Sequence, residues 1–232
     1  MIPVTRQGWA AALLMAGTLL AVMVVAVACG GSESTPTVPG RSVTGPGILT
    51  TPPPWPAQYR DIKRRLAPLA LPSVGNEKFH THQLLHIYED GLLVPVAASI
   101  GVDERQHVET ALHTHDQSGV IHMEARKPFK ATLGDLFTVW GVGLGPDHVG
   151  GLKATGDTPF RVFVNGRPVA DPAAHVLAKN DNIVIAYGAT DGIPLRADTT
   201  ALRAANGKGG TPVACTVNKG GKKPTSCFAP KK

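Results

Sequence analysis

The sequence predicts a β-rich α+β domain, in which antiparallel hairpins form a sheet or a small sandwich or barrel beneath one short covering helix. Two turn pairs and one helical segment predict it. Asp90-Gly91 separates His86-Ile87-Tyr88-Glu89 from Leu92-Leu93-Val94-Pro95-Val96, and Asn165-Gly166 separates Arg161-Val162-Phe163-Val164 from Arg167-Pro168-Val169. Both pairs suit two-residue hairpins, because the central residues of a type I′ turn need positive φ. Against this period-two background one segment has helical spacing: Thr132 stands as N-cap, Leu133, Leu136, Phe137 and Trp140 share a face, and Gly141 closes it.

Ahead of the domain, residues 1–28 read as a signal peptide. Arg6 is followed by no charged residue from Gln7 to Ser32, and the apolar run ends in Ala26-Val27-Ala28-Cys29. Small residues before a cysteine that is followed by Gly30-Gly31-Ser32 are similar to a lipoprotein processing site, although Ala26 stands where such sites usually carry Leu. Cys29 is therefore the expected lipidation position, and the membrane a partner through that anchor. Simple secretion and an uncleaved spanning helix are the alternatives, the apolar run being long enough for the latter. The expected location is extracytoplasmic in each case.

Residues 29–57 are rich in Ser, Thr, Gly and Pro, with Pro52-Pro53-Pro54 before Trp55, and read as a tether. The body spans 58–194, a length suited to one domain. It begins with a short docking helix within Gln58 to Leu71, where Tyr59, Ile62 and Leu66 fall near helical spacing and Arg60, Lys63, Arg64 and Arg65 form a solvated basic face. Further strands are expected at Glu109 to Thr114, Gly119 to Ala125 and Asn182 to Tyr187, and a glycine-rich loop from Gly143 to Thr158. Residues 195–232 read as a flexible basic tail carrying Lys208, Lys219, Lys222, Lys223, Lys231 and Lys232 of a chain with net charge +6. Outside the cytoplasm such a tail is solvated or touches anionic envelope polymers; nucleic acid is not an expected partner. Of the three cysteines, Cys215 and Cys227 form an even pair that an oxidising compartment would join as a disulfide.

The chemistry is expected in the histidines. There are nine, and six fall in two clusters: His80, His82 and His86, then His113, His115 and His122. Side chains alternate faces along a strand, so His80, His82 and His86 share one face, as do His113 with His115 and His122 with Glu124. Two hairpins facing each other would gather six imidazoles and a carboxylate. Neutral imidazole is the commonest side-chain ligand for transition metals, and an HxH pair offers two nitrogens to one ion. Six ligands exceed the need of one site, which leaves one site with supporting groups, two sites, or some packing histidines. Asp116 and Glu124 are expected as outer partners that accept the far N–H of a ligating ring. Isolated histidines such as His107, His148 and His175 are more often surface or core residues than ligands, and Met123 has core parity.

Other chemistries fit poorly. The residues around Ser118 read HDQSG, which lacks the first glycine of a nucleophile elbow and is explained by a hairpin turn. Glu89 lies too far beyond His82 for a cupin pattern, and no HExxH helix, P-loop or dinucleotide fingerprint is present.

The segments FHTHQLLHIYEDGLLVPV, LHTHDQSGVIHMEA, TLGDLFTVWGV and VFVNGRPVADP resemble blocks shared by a group of secreted or lipoprotein-type bacterial proteins with no established activity. The resemblance covers roughly residues 50–190 and is most specific in the LHTHDxSGxIHxE block, Leu112 to Glu124. It implies that His80, His82, His86, His113, His115, His122 and Glu124 belong to the group's characteristic blocks. The long basic tail and its two cysteines depart from that group.

The expected function is binding of a divalent transition metal, zinc or copper, by an exported and lipid-anchored protein. A metal-dependent enzyme, with three histidines on zinc or iron and Glu124 or Asp116 as general base, is the alternative. A third reading is a binding or structural envelope protein whose histidines form a hydrogen-bonded network without metal.

Overall fold

Both turn pairs build the hairpins expected of them. In the computed structural model, which describes residues 40–189 and 192–207, Asp90 and Gly91 have φ of 48° and 77°, and Asn165 and Gly166 have 54° and 81°. Each therefore joins two antiparallel strands: β1 (Phe79–Glu89) to β2 (Leu92–Val94), and, further along, Phe160–Val164 to Arg167–Pro168.

In chain order the remaining strands are β3 (Val102–Asp103), β4 (Val108–Glu109), β5 (Leu112–His113), β6 (Val120–Ala125), β7 (Leu144–Gly145), β8 (His148–Val149) and β9 (Leu152–Lys153). They are followed by β10 (Phe160–Val164), β11 (Arg167–Pro168) and β12 (Asn182–Tyr187). The main sheet has the order β11-β10-β12-β1-β6-β5, with β2 paired to the end of β1. The sheet does not close into a barrel. One pairing is parallel, β1 with β12, and it joins the two hairpin-built halves. β12 is an apolar run buried from Asn182 to Ala186, which is what a strand covered on both faces requires.

The two faces of the sheet follow from the alternation of β1. Leu85 and Ile87 point into the main core with Ile121 and Met123 of β6 and with the helix α2 (Leu133–Trp140). α2 is capped as expected: Thr132 Oγ1 accepts from the Asp135 amide, Asp135 returns the bond to the Thr132 amide, and Gly141 ends the helix at φ 84°. Leu84 points the other way, where Val120 and Val184 join Ala197, Ala201 and Leu202. The last two belong to a short helix (Thr200–Ala205) at the end of the described chain.

Several expectations are corrected. Residues 40–57 do not stand off as a tether. Val43 and Trp55 are buried, the Leu49 amide donates to the Gly141 carbonyl at 2.8 Å, and the Gly143 amide donates to the Leu49 carbonyl at 2.9 Å. Trp55 packs edge-on against Trp140, whose Nε1 donates to the Trp55 carbonyl at 3.2 Å. A Cβ on Gly150 would lie 2.5 Å from the Trp55 ring, so the expected glycine-rich loop is the seat of that indole. The same stretch also forms the small sheet β7-β8-β9. Indole burial outweighs the tether-like composition around it, a full aromatic side chain being worth about 3 kcal/mol.

The basic face of α1 (Ile62–Leu66) is not wholly solvated, because Arg65 is buried. Its guanidinium donates to the carbonyls of Thr138 at 2.9 Å, Arg60 at 2.5 Å and Gln58, so three acceptors near the end of α2 and around α1 are satisfied by one side chain. The strand expected at Glu109 to Thr114 divides, β4 pairing with β3 and β5 with β6. Residues 195–207, expected within the tail, include a short helix packed on the sheet beside the two helices that were expected. Residues 1–28, Cys29, Cys215, Cys227 and the lysines from Lys208 onward lie outside the described residues. Among the described residues no helix is long and apolar enough to cross a membrane.

Candidate metal centre

The site is a product of strand register. β6 lies between β1 and β5, and its His122 is directly opposite His82 on one side and His113 on the other. One step along, His80 is opposite Glu124. Directly opposed residues project from the same face, with Cβ atoms about 4.5–5.5 Å apart. Three adjacent strands therefore set three imidazoles in a row, and the HxH spacing adds His80 and His115 at its ends. The histidines gather on neighbouring strands of one sheet, where the sequence suggested two hairpins facing each other.

Gly119 makes the register possible. It has φ of 80°, and a Cβ there would lie 2.1 Å from the Leu85 carbonyl oxygen, while its own carbonyl accepts from the Leu85 amide at 2.8 Å. A side chain at this position would push the start of β6, and with it His122, away from β1.

Five of the six expected histidines, and Glu124, come together. His113, His115, His122 and Glu124 form one set whose ligand atoms all lie within 4.8 Å of one another; His80, His82 and His122 form a second. The two HxH pairs do not share a single ion position; each joins His122. His113 is fully buried, His122 and Glu124 are half-buried, and His115 and His80 reach solvent.

The hydrogen-bond partners assign the nitrogens. His113 Nδ1 is 2.9 Å from the Thr110 carbonyl, which can only accept, so Nδ1 carries the hydrogen and Nε2 the lone pair. That Nε2 is 3.3 Å from His115 Nε2. Two imidazoles on a tetrahedral zinc, each with its nitrogen about 2.0–2.1 Å from the ion, stand about 3.3–3.4 Å apart. The His113–His115 separation has the length of such an edge. Glu124 Oε1 accepts from His122 Nδ1 at 3.0 Å, and lies 2.7 Å from His80 Nε2 and 3.9 Å from His113 Nε2. The Glu124 oxygen is within ligand reach of the inner histidines.

Burial lowers the pKa of His113 and His82, the latter against the hydrogen bond from its ring to Asn206. His122 is lowered to about 2, by burial first and then by its neighbours His115, His82, His113 and His80. Neutral rings are the form that binds metal.

The other expected site residues lie elsewhere. His86 is on the same face of β1, but four residues beyond His82 along a strand is about 13 Å. It sits beside the Tyr88 hydroxyl at 3.4 Å, and burial lowers its pKa to about 4 against the nearby Asp198. Asp116 turns back to accept from the Ser118 amide at 2.8 Å and so shapes the turn before β6. Met123 is core. His148 pairs with Asp147 at 2.7 Å, and His175 with the buried Asp181 at 2.8 Å. One residue escaped the sequence reading. Asn206, at the end of α3 (Thr200–Ala205), has its Oδ1 3.3 Å from His82 Nδ1. Its signal was the Ala- and Leu-rich run that closes in Asn206-Gly207.

Compared with known proteins, the chain matches no family model, no curated protein and no solved structure.

Proposed function

We propose that this protein is an exported, lipid-anchored binder of a divalent transition metal, zinc or copper. The metal part rests on one observation: two HxH pairs, from either side of β6, each join His122, and Glu124 adds its oxygen to the His113–His115 set, where His113 Nε2 holds a lone pair beside His115 Nε2. His113, His115 and His122 supply three nitrogens and Glu124 the oxygen that closes a four-ligand set. Nitrogen and oxygen donors without thiolate favour zinc and copper(II) over softer ions. The export part rests on the leader and the small-residue run ahead of Cys29. A binder so placed meets external zinc or copper directly.

The deciding measurement for the metal is elemental analysis of the purified full chain beside a His113→Ala, His115→Ala double variant. The expected result is one zinc or copper per wild-type chain and none above background in the variant. No metal in the wild type, or equal metal in both, would sink the reading. For the anchor, Cys29→Ser should move the protein from the membrane fraction to the soluble one and abolish incorporation of labelled fatty acid; an unchanged distribution would overturn it.

A further inference from the structure

Asn206 has only one orientation open to it. Its amide nitrogen donates to the Leu202 carbonyl at 2.8 Å and to Asn180 Oδ1 at 3.1 Å. That leaves the carbonyl oxygen of the side chain facing His82 Nδ1 at 3.3 Å. An amide oxygen accepts and cannot donate, so His82 Nδ1 must carry the hydrogen and Nε2 the lone pair. The same logic sets His113 against the Thr110 carbonyl. At His113 the acceptor is backbone within the sheet region, whereas at His82 it is a side chain delivered by a separate helix.

That helix is lightly held. Ala201 and Leu202 are its buried residues, packed against Leu84, Val120 and Val184. The chain leading to it is held where Asn182 donates to the Ala197 carbonyl at 2.9 Å and accepts from the Ala197 amide at 2.7 Å, and where Arg196 donates to the Asn165 carbonyl at 2.6 Å. A six-residue helix with one large apolar side chain does not stand alone, so its seat on the sheet is what keeps it formed.

We infer that α3 is a latch coupled to the outer set of the metal centre: through Asn206 it presents His82 Nε2 to an ion held with His80 and His122, and an ion bound there holds α3 down. This rests on the metal reading of the histidine cluster and adds a regulator to it. An ion on Nε2 withdraws charge from the ring and makes Nδ1–H a stronger donor, which strengthens the bond to Asn206. Coupling of binding equilibria is reciprocal, so whatever factor α3 adds to metal affinity, metal adds to α3 docking. Asn206 is a positioning residue, since it touches the ligand's far nitrogen and not the ion.

The test uses the full chain, zinc ion alone as probe, and three measurements. In the metal-free wild type, nitrogen NMR of the ring should show His82 with its hydrogen on Nδ1, and Asn206→Leu should abolish that preference. Asn206→Leu should weaken zinc binding up to about tenfold, the low end of the usual effect of losing an outer partner, while Asn206→Asp, which keeps an acceptor oxygen, should stay close to wild type. Saturating zinc should slow amide exchange across residues 201–206 in the wild type by a comparable factor. If the wild type binds zinc, yet exchange in α3 does not move and Asn206→Leu binds normally, the latch is overturned and the metal reading stands. A wild type that takes up no zinc overturns both, and the ring-nitrogen spectrum then shows separately whether Asn206 sets His82.

Discussion

A His122→Ala chain is expected to bind zinc at least about 100-fold more weakly than the wild type, the largest loss of any single substitution in the cluster. The reason is position. His122 is the one imidazole common to both sets, because β6 lies between β1 and β5 and is opposed by His82 and His113 at the same register point. Closed four-ligand zinc sites contribute roughly 10–16 kcal/mol in all, so one ligand is worth about 3 kcal/mol, or about 100-fold in affinity. His80→Ala removes a half-exposed ring from the outer set alone, its side chain being 48% exposed, and should cost about tenfold or less. Titration against a chromophoric zinc chelator measures both variants. If His122→Ala binds like the wild type, or His80→Ala loses as much, the two sets do not converge on His122.

The second expected effect concerns the metal-free protein in mild acid. Burial holds His86 at about 4, and burial with four imidazole neighbours holds His122 at about 2. The unfolded chain binds a proton at each with a pKa near 6.5. Below that value the unfolded state carries more protons than the native one, so stability rises with pH and falls as pH is lowered. The loss begins near the unfolded pKa and continues until the native ring titrates. Between pH 7 and pH 5 a ring that stays neutral in the native state costs about 2 kcal/mol, so the two together cost about 2–4 kcal/mol after allowance for partial solvent screening. Urea unfolding in the presence of a chelator at the two pH values should show it as a clear drop in midpoint. Zinc should raise the midpoint without removing the drop, since a coordinated ring stays neutral in the native state while the unfolded ring still takes the proton. A metal-free midpoint that does not change between pH 7 and pH 5 would show that neither ring is held neutral.

Much of the local structure was legible because its signals are local. The Asp90-Gly91 and Asn165-Gly166 pairs need positive φ, and both turns have it. Thr132, Asp135 and Gly141 supply all the parts of a capped helix within ten residues, and α2 forms there. The parity of His80 with His82, and of His122 with Glu124, is set by the pleat of a strand and survives in the fold. What misled was composition without context. Trp55 sits among prolines and glycines that look like a tether, yet its ring is buried against Trp140. Residues 200–206 follow a stretch without periodicity, yet they cover the second face of the sheet.

By itself the sequence determined which residues share a face, where the chain turns, and that two HxH pairs are available to an ion. These depend only on backbone geometry within a few residues. The fold alone decided which of the histidines meet. His86 has the same parity as His82 and stays out, because distance along β1 separates them; His113 and His82 are far apart in sequence and flank His122, because strand pairing aligns them. Pairing register and the docking of α3 are settled by long-range burial, and no short window of sequence contains the partners that bury each other.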